Sequence, residues 1–262
     1  MMRKTEALRA LLESWVSRYN NPSFIAHDPI SVAHRFSQKQ DIEIAGFFAA
    51  TLAWGQRTTI INNCNRLMQW MHEAPHEFIM HHSEKDLIPM SHFVHRTFNA
   101  TDLLYFIHFL KKHYQSSPTL ETAFTQFISP KSADTTQALT GFHNYFFDDE
   151  LAPERTRKHV ATPARKSACK RLNMYLRWMV RDDSHGVDFG LWKTIKPSQL
   201  ICPIDVHVER VARQYKLITR KAVDWECALE LTANLRKLDP DDPVKYDFAL
   251  FGMSAAKKQT ML

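Results

Sequence analysis

The chain has 262 residues, 44% hydrophobic and 24% charged, with 34 Lys and Arg against 28 Asp and Glu, a formal net charge of +6. That length supports a sizeable core in one large domain or two interlocked lobes, and the basic excess raises the prospect of an anionic partner only modestly. Glycine is scarce, at 6 residues, which disfavours Gly-rich phosphate loops and hairpin-dense β folds.

The first residues, MMRKTEALRALLESW, alternate charged and apolar residues without a signal-peptide apolar stretch. Leu8, Leu11, Leu12 and Trp15 fall on one helical face. The segment DIEIAGFFAATLAWGQR, with Asp41 as its expected cap, is apolar nearly all round and predicts a core helix. A break near Gly55 separates it from an amphipathic helix over 57–73. Residues 101–115 open on a Thr/Asp cap and end in lysines, agreeing with the helix dipole. Residues 118–128 and 134–147 predict two more helices. The stretch PERTRKHVATPARK, 153–166, is a basic loop. Ser167 is the expected N-cap of a helix reaching about Arg181, with Leu172, Tyr175, Leu176 and Met179 as its core stripe. Asp205 opens a further helix whose buried face is Val208, Val211, Ala212 and Tyr215. Helices over 224–237 and 243–252 follow. No convincing strand pair is visible. The expected fold class is all-α, about a dozen short helices.

The four cysteines, Cys64, Cys169, Cys202 and Cys227, form no CxxC. That argues against a zinc or iron–sulfur centre and suits a reduced, cytoplasmic thiol set. No apolar run of about 18 residues predicts a membrane span. His72-Glu73-Ala74-Pro75-His76 matches the HExxH zinc-protease string, but proline inside it breaks the helix that would put both histidines on one face. The His81-His82 pair and the stretch MSHFVH, 90–95, suit surface or cleft contacts better than metal ligation.

Two segments carry the chemistry: SACKRLNMYLRWMVR, 167–181, and CPIDVHVERVARQYKL, 202–217. A carboxylate at the helix-cap position 205 is fixed in direction by backbone N–H groups. Lys170 lies in a first helical turn beside Arg171, where like charge and the helix dipole favour the neutral, nucleophilic amine. Read alone, Asp205 is equally a plain cap and Lys170 a solvated or phosphate-binding lysine.

The run PIDVHVERVARQYKL, 203–217, resembles the signature of the helix-hairpin-helix DNA glycosylase superfamily, and most of all its archaeal-type 8-oxoguanine glycosylases. The whole chain also resembles an uncharacterised bacterial family of unknown function, marked by residues 167–181 and the block DPVKYDFALFG. The superfamily resemblance covers roughly residues 38–252. It implies two interlocked helical lobes, here approximately 40–200 with Lys170 and 1–39 plus 201–262 with Asp205. It implies that Lys170 attacks C1′ of a damaged nucleoside, with Asp205 as the catalytic carboxylate, on damaged double-stranded DNA, by a monomer without metal or organic cofactor. Gln56 and Arg57 stand where the superfamily has a DNA-intruding loop. The remaining expected DNA contacts are Arg155, Arg157, Lys158, Arg165, Lys166, Arg171 and His207. The base pocket draws on Trp54, Asp247, Phe248 and Phe251. The superfamily's Leu-Pro-Gly-Val-Gly hairpin is replaced by HVATPARKSACK, so basic side chains of 155–166 are expected to take over from its phosphate-binding amides. The 35-residue separation of Lys170 and Asp205 suits the archaeal type. Two alternatives stay open: a non-enzymatic nucleic-acid-binding protein on the same fold, and a glycosylase for another lesion or for RNA.

Overall fold

A computed structural model describes the backbone of residues 2–259 and the side chains of residues 5–256. The fold is all-α, with twelve α-helices among the described residues. The first five are α1 (Met2–Tyr19), α2 (Lys39–Thr51), α3 (Arg57–Trp70), α4 (Pro75–His81) and α5 (Glu84–Leu87). A small antiparallel hairpin, β1 (Val94–His95) with β2 (Phe98–Asn99), comes next and pairs Val94 with Asn99 and His95 with Phe98. It was invisible to periodicity because each strand is two residues long. Then come α6 (Ala100–Tyr114), α7 (Thr122–Thr125), α8 (Thr136–Phe146) and α9 (Lys170–Val180), and finally α10 (Val206–Gln214), α11 (Trp225–Arg236) and α12 (Tyr246–Gln259).

Contacts divide the chain into two compact units: residues 1–24, 130–136 and 162–262 in one, 25–129 and 137–161 in the other. This differs from the expected lobes. Lys170 and Asp205 fall in the same unit, because the segment leaving α9 folds back along it, with Phe189 N–H on the Trp178 carbonyl (2.7 Å) and Trp192 N–H on that of Met179 (2.8 Å).

The unit of residues 25–129 and 137–161 has an aromatic core. Phe47 stacks on Phe106 at 5.4 Å, and Phe146 meets Phe106 at 4.8 Å and Phe109 at 4.3 Å. The α2 helix is buried from Ile42 onward, as its all-round apolar sequence requires. Its expected cap is corrected: Gln38 precedes the helix, and Asp41 instead accepts the His76 N–H at the start of α4 (2.8 Å). At α6 the cap is Asn99, in a capping box with Asp102, rather than Thr101. The helix expected over 118–128 contracts to α7, because Ser117 and Thr122 hydroxyls bond the Thr119 carbonyl and compete with helical bonding. His72 and Glu73 take positive φ and Pro75 opens α4, so His72 and His76 do not share a helix.

In the other unit α12 packs against both α1 and α10. A Cβ at Gly252 would lie 2.4 Å from the Tyr19 ring, so only glycine allows that approach. Among the described residues of α1, Leu12 and Val16 are buried; Leu8, Leu11 and Trp15 are half-buried. In α10 the face Val208, Val211 and Ala212 is buried as expected, while Tyr215 is half-exposed.

Candidate active site

The two helices whose first turns carry Lys170 and Asp205 begin differently. Asp205 is the N-cap of α10: its Oδ1 accepts the N–H groups of His207 (2.9 Å) and Val208 (3.0 Å). That leaves Oδ2 facing outward, 3.8 Å from Lys170 Nζ. Lys170 is the first residue of α9, but Ser167 is not its cap. Cys169 precedes the helix in a left-handed conformation, φ 48°, and Ser167 Oγ accepts the Cys169 N–H (3.2 Å) in a local turn. Both side chains are about one-third exposed, at 30% and 29%. The pair is therefore reachable from solvent, yet fixed on one side by helix backbone.

Asp247, in the first turn of α12, is the third ionisable group of the cluster. Burial, against the Arg177 cation and then with the Asp205 carboxylate, pushes its carboxyl up to about 6, with Lys170 pulling the other way. Arg177 donates to Asp247 and, through Nε, to Asp188 (3.2 Å). Arg181, one turn on, donates to Asp242 through Nε (3.0 Å) and to Asp183 (2.6 Å), and Asp188 takes its remaining nitrogen. These buried ion pairs lock α9 onto the start of α12. Sequence reading passed over them. Their signal was Arg177 and Arg181 on either side of the apolar run Trp178-Met179-Val180, since a buried cation needs a partner.

Several expected site residues have other work. His207 Nδ1 lies 3.1 Å from Ser254 Oγ, which also accepts from Arg210 (2.7 Å), so the His and Arg of the α10 run staple it to α12. Phe248 is 1% exposed with the Arg177 guanidinium 4.3 Å above its ring, which makes it core rather than a base-stacking surface. Phe251 is half-buried and packs edge-on against Phe24 at 5.9 Å. Burial holds the Arg171 guanidinium down to about 10. Burial and the Asp247 carboxylate push the Cys202 thiol up, which disfavours its thiolate.

The basic loop resolves into two short 3-10 turns, Glu154–His159 and Pro163–Arg165. Arg155 bonds Asn99, Asp102 (2.6 Å) and the Thr97 carbonyl (3.1 Å). Arg157 pairs with Glu154 (2.8 Å) and lies over Phe147 at 4.8 Å. Both are thus turned to the protein's own structure, whereas Arg165 and Lys166 are exposed. Lys166 takes φ 58°, and its carbonyl accepts the Trp225 N–H (3.1 Å), so this turn is anchored to α11. Arg165, Lys166, Lys170, Asp205 and Asp247 belong to one unit; Trp54, Gln56, Arg57, Arg155, Arg157 and Lys158 belong to the other. Gln56 and Arg57 are exposed at the start of α3.

A mostly helical protein with a lysine–carboxylate pair at two helix N-termini is the class that fold and site define. The chain belongs to the family described as "Protein of unknown function (DUF2400)", which matches residues 28–256. No curated protein and no solved structure matches it.

Proposed function

We propose that the protein is a DNA base-excision glycosylase with associated lyase activity, acting on an oxidised purine such as 8-oxoguanine. The observation that carries this reading is the 3.8 Å approach of the Lys170 amine to Asp205, in a half-open position at the starts of α9 and α10. The resemblance of residues 203–217 to the helix-hairpin-helix glycosylases supplies the reaction, and the two lobes and DNA-intruding loop of that superfamily are part of the proposal.

The lysine must lose a proton before it can attack, and the adjacent carboxylate is placed to accept it. Lys170 Nζ then bonds to C1′ as the C1′–N glycosidic bond breaks, its electron pair leaving with the base, which is protonated in turn. Asp205, fixed by two backbone N–H groups, faces the positive charge that develops on the sugar and stabilises it without reorganising. Opening of the sugar ring gives an imine between Lys170 and C1′. Loss of a C2′ proton then expels the 3′ phosphate and nicks the strand. Extruding the nucleotide costs a few kcal/mol, about which a lesion is more lenient than a normal pair. Gln56 and Arg57 are the candidates for filling the vacated space, and Asp247 and Phe251 for lining the base pocket.

Lys170→Gln is expected to abolish the borohydride-trapped adduct while leaving duplex affinity within a factor of about two, since one cation contributes little to a multi-phosphate interface. An adduct that survives this change names another nucleophile. Duplex binding by a wild type that forms no adduct with any lesion would instead favour a non-enzymatic nucleic-acid-binding protein.

A further inference from the structure

The stretch MSHFVH, expected to make surface or cleft contacts, ends in a histidine that the fold buries: His95 is 2% exposed. It lies on β1 against the segment linking α2 to α3. Its Nε2 is 3.2 Å from the Trp54 carbonyl and its Nδ1 is 2.9 Å from Asn63 Nδ2. A carbonyl only accepts, so Nε2 carries the proton and donates, and Nδ1 accepts from the Asn63 amide. The Asn63 orientation agrees, because its Oδ1 accepts from Arg66 at 3.1 Å. The imidazole also meets the Trp54 ring edge-on at 5.1 Å. Trp54 also stacks at 5.7 Å on His159, whose Nε2 is 3.4 Å from Asp102. One residue further, Gly55 turns at φ +104° against the Arg96 side chain. Gln56 and Arg57 then stand exposed.

We propose that His95 is a positioning residue for the Gln56–Arg57 pair: it fixes the Trp54 carbonyl, and with it the turn at Gly55, so that both side chains are ordered in advance for insertion into a nucleic-acid duplex. The use of that pair rests on the glycosylase reading; the brace itself does not. Order established beforehand removes an entropic cost from binding.

His95→Leu removes the donor at similar volume, and His95→Gln restores an amide N–H near the place of Nε2. Hydrogen exchange of the amides of residues 53–58 reads the brace. It is expected to be about 10-fold faster in His95→Leu and near wild type in His95→Gln. Borohydride trapping reads the use, on a duplex containing 8-oxoguanine and on a single strand with a preformed abasic site, which needs no duplex opening. His95→Leu should form the duplex adduct about 10-fold more slowly and the single-strand adduct at the wild-type rate, with His95→Gln restoring the first. Equal losses on both substrates would reduce His95 to a folding role and overturn the proposal, as would unchanged exchange. A wild type that forms neither adduct removes the glycosylase reading, while the exchange comparison still decides the brace.

Discussion

Asp205 has two structural duties, one oxygen capping α10 and the other facing Lys170, and two substitutions separate them. Asparagine keeps a capping oxygen, so Asp205→Asn should change unfolding stability by less than about 1 kcal/mol, whereas Asp205→Ala should cost about 1–2 kcal/mol. Excision by Asp205→Asn should nevertheless fall about 100-fold, because the charge is gone. Thermal melts and single-turnover excision measure the two effects; an asparagine variant as active as wild type would reduce Asp205 to a cap. Asp247 gives a readout that needs no substrate. Its carboxyl, pushed up to about 6 by burial, is pulled down by Lys170 among others. A carbon-detected NMR titration should find it near 6, and higher still in Lys170→Gln because a stabilising cation has been removed. A value near 4 that ignores the lysine would separate the two groups. Lys170 and Asp205 could be singled out because a local run of residues marks each, and the fold brings the two side chains within 3.8 Å. Asp188 and Asp242 were not, because nothing near them in sequence reveals that Arg177 and Arg181 will claim them.

At the level of elements, long periodic helices were legible and their caps less so. Cap residues are chosen by competing partners: Asp41 serves α4 rather than α2, and Ser167 closes a turn rather than opening α9. The hairpin β1–β2 is too short to show a period. The basic loop shows the same limit, since composition counts cations but not the carboxylates that hold them. Arg165→Ala and Lys166→Ala are each expected to lower the slope of log affinity against log salt by about 1 on duplex DNA. Arg155→Ala should instead lower thermal stability, because it leaves the buried Asp102 short of a cation. A slope unchanged by Arg165→Ala and Lys166→Ala together would remove that turn from the interface. Gly55→Ala should cost about 1–3 kcal/mol, read by chemical denaturation, since φ +104° is strained for any side chain.

For the whole molecule, the all-α class followed from the sequence because the apolar periodicity is helical along most of the chain, while the two contact units did not. Unit boundaries depend on long-range returns, such as the segment after α9 running back along it, which composition does not encode. No described helix is long and apolar enough to cross a membrane. Asp102 is one acid-sensitive element of global stability. Burial alone would raise the Asp102 carboxyl, but His159, the Asn99 N–H and Thr156 outweigh it and hold it at about 2. A depressed carboxyl stabilises the fold above its ordinary pKa, and that stabilisation is lost as pH falls toward the folded value. The melting-temperature gap between wild type and Asp102→Asn should therefore be wide at neutral pH and close between about pH 4 and 2.

The central claim is that Lys170 forms an imine with a nucleoside sugar. Its most direct test is borohydride trapping of the wild-type protein on a duplex with a single 8-oxoguanine opposite cytosine, followed by mapping of the adducted residue by mass spectrometry. The account predicts a covalent protein–DNA species with the sugar on Lys170. An adduct on a different residue, or none on this duplex, on a panel of other lesions or on an abasic site, would contradict it.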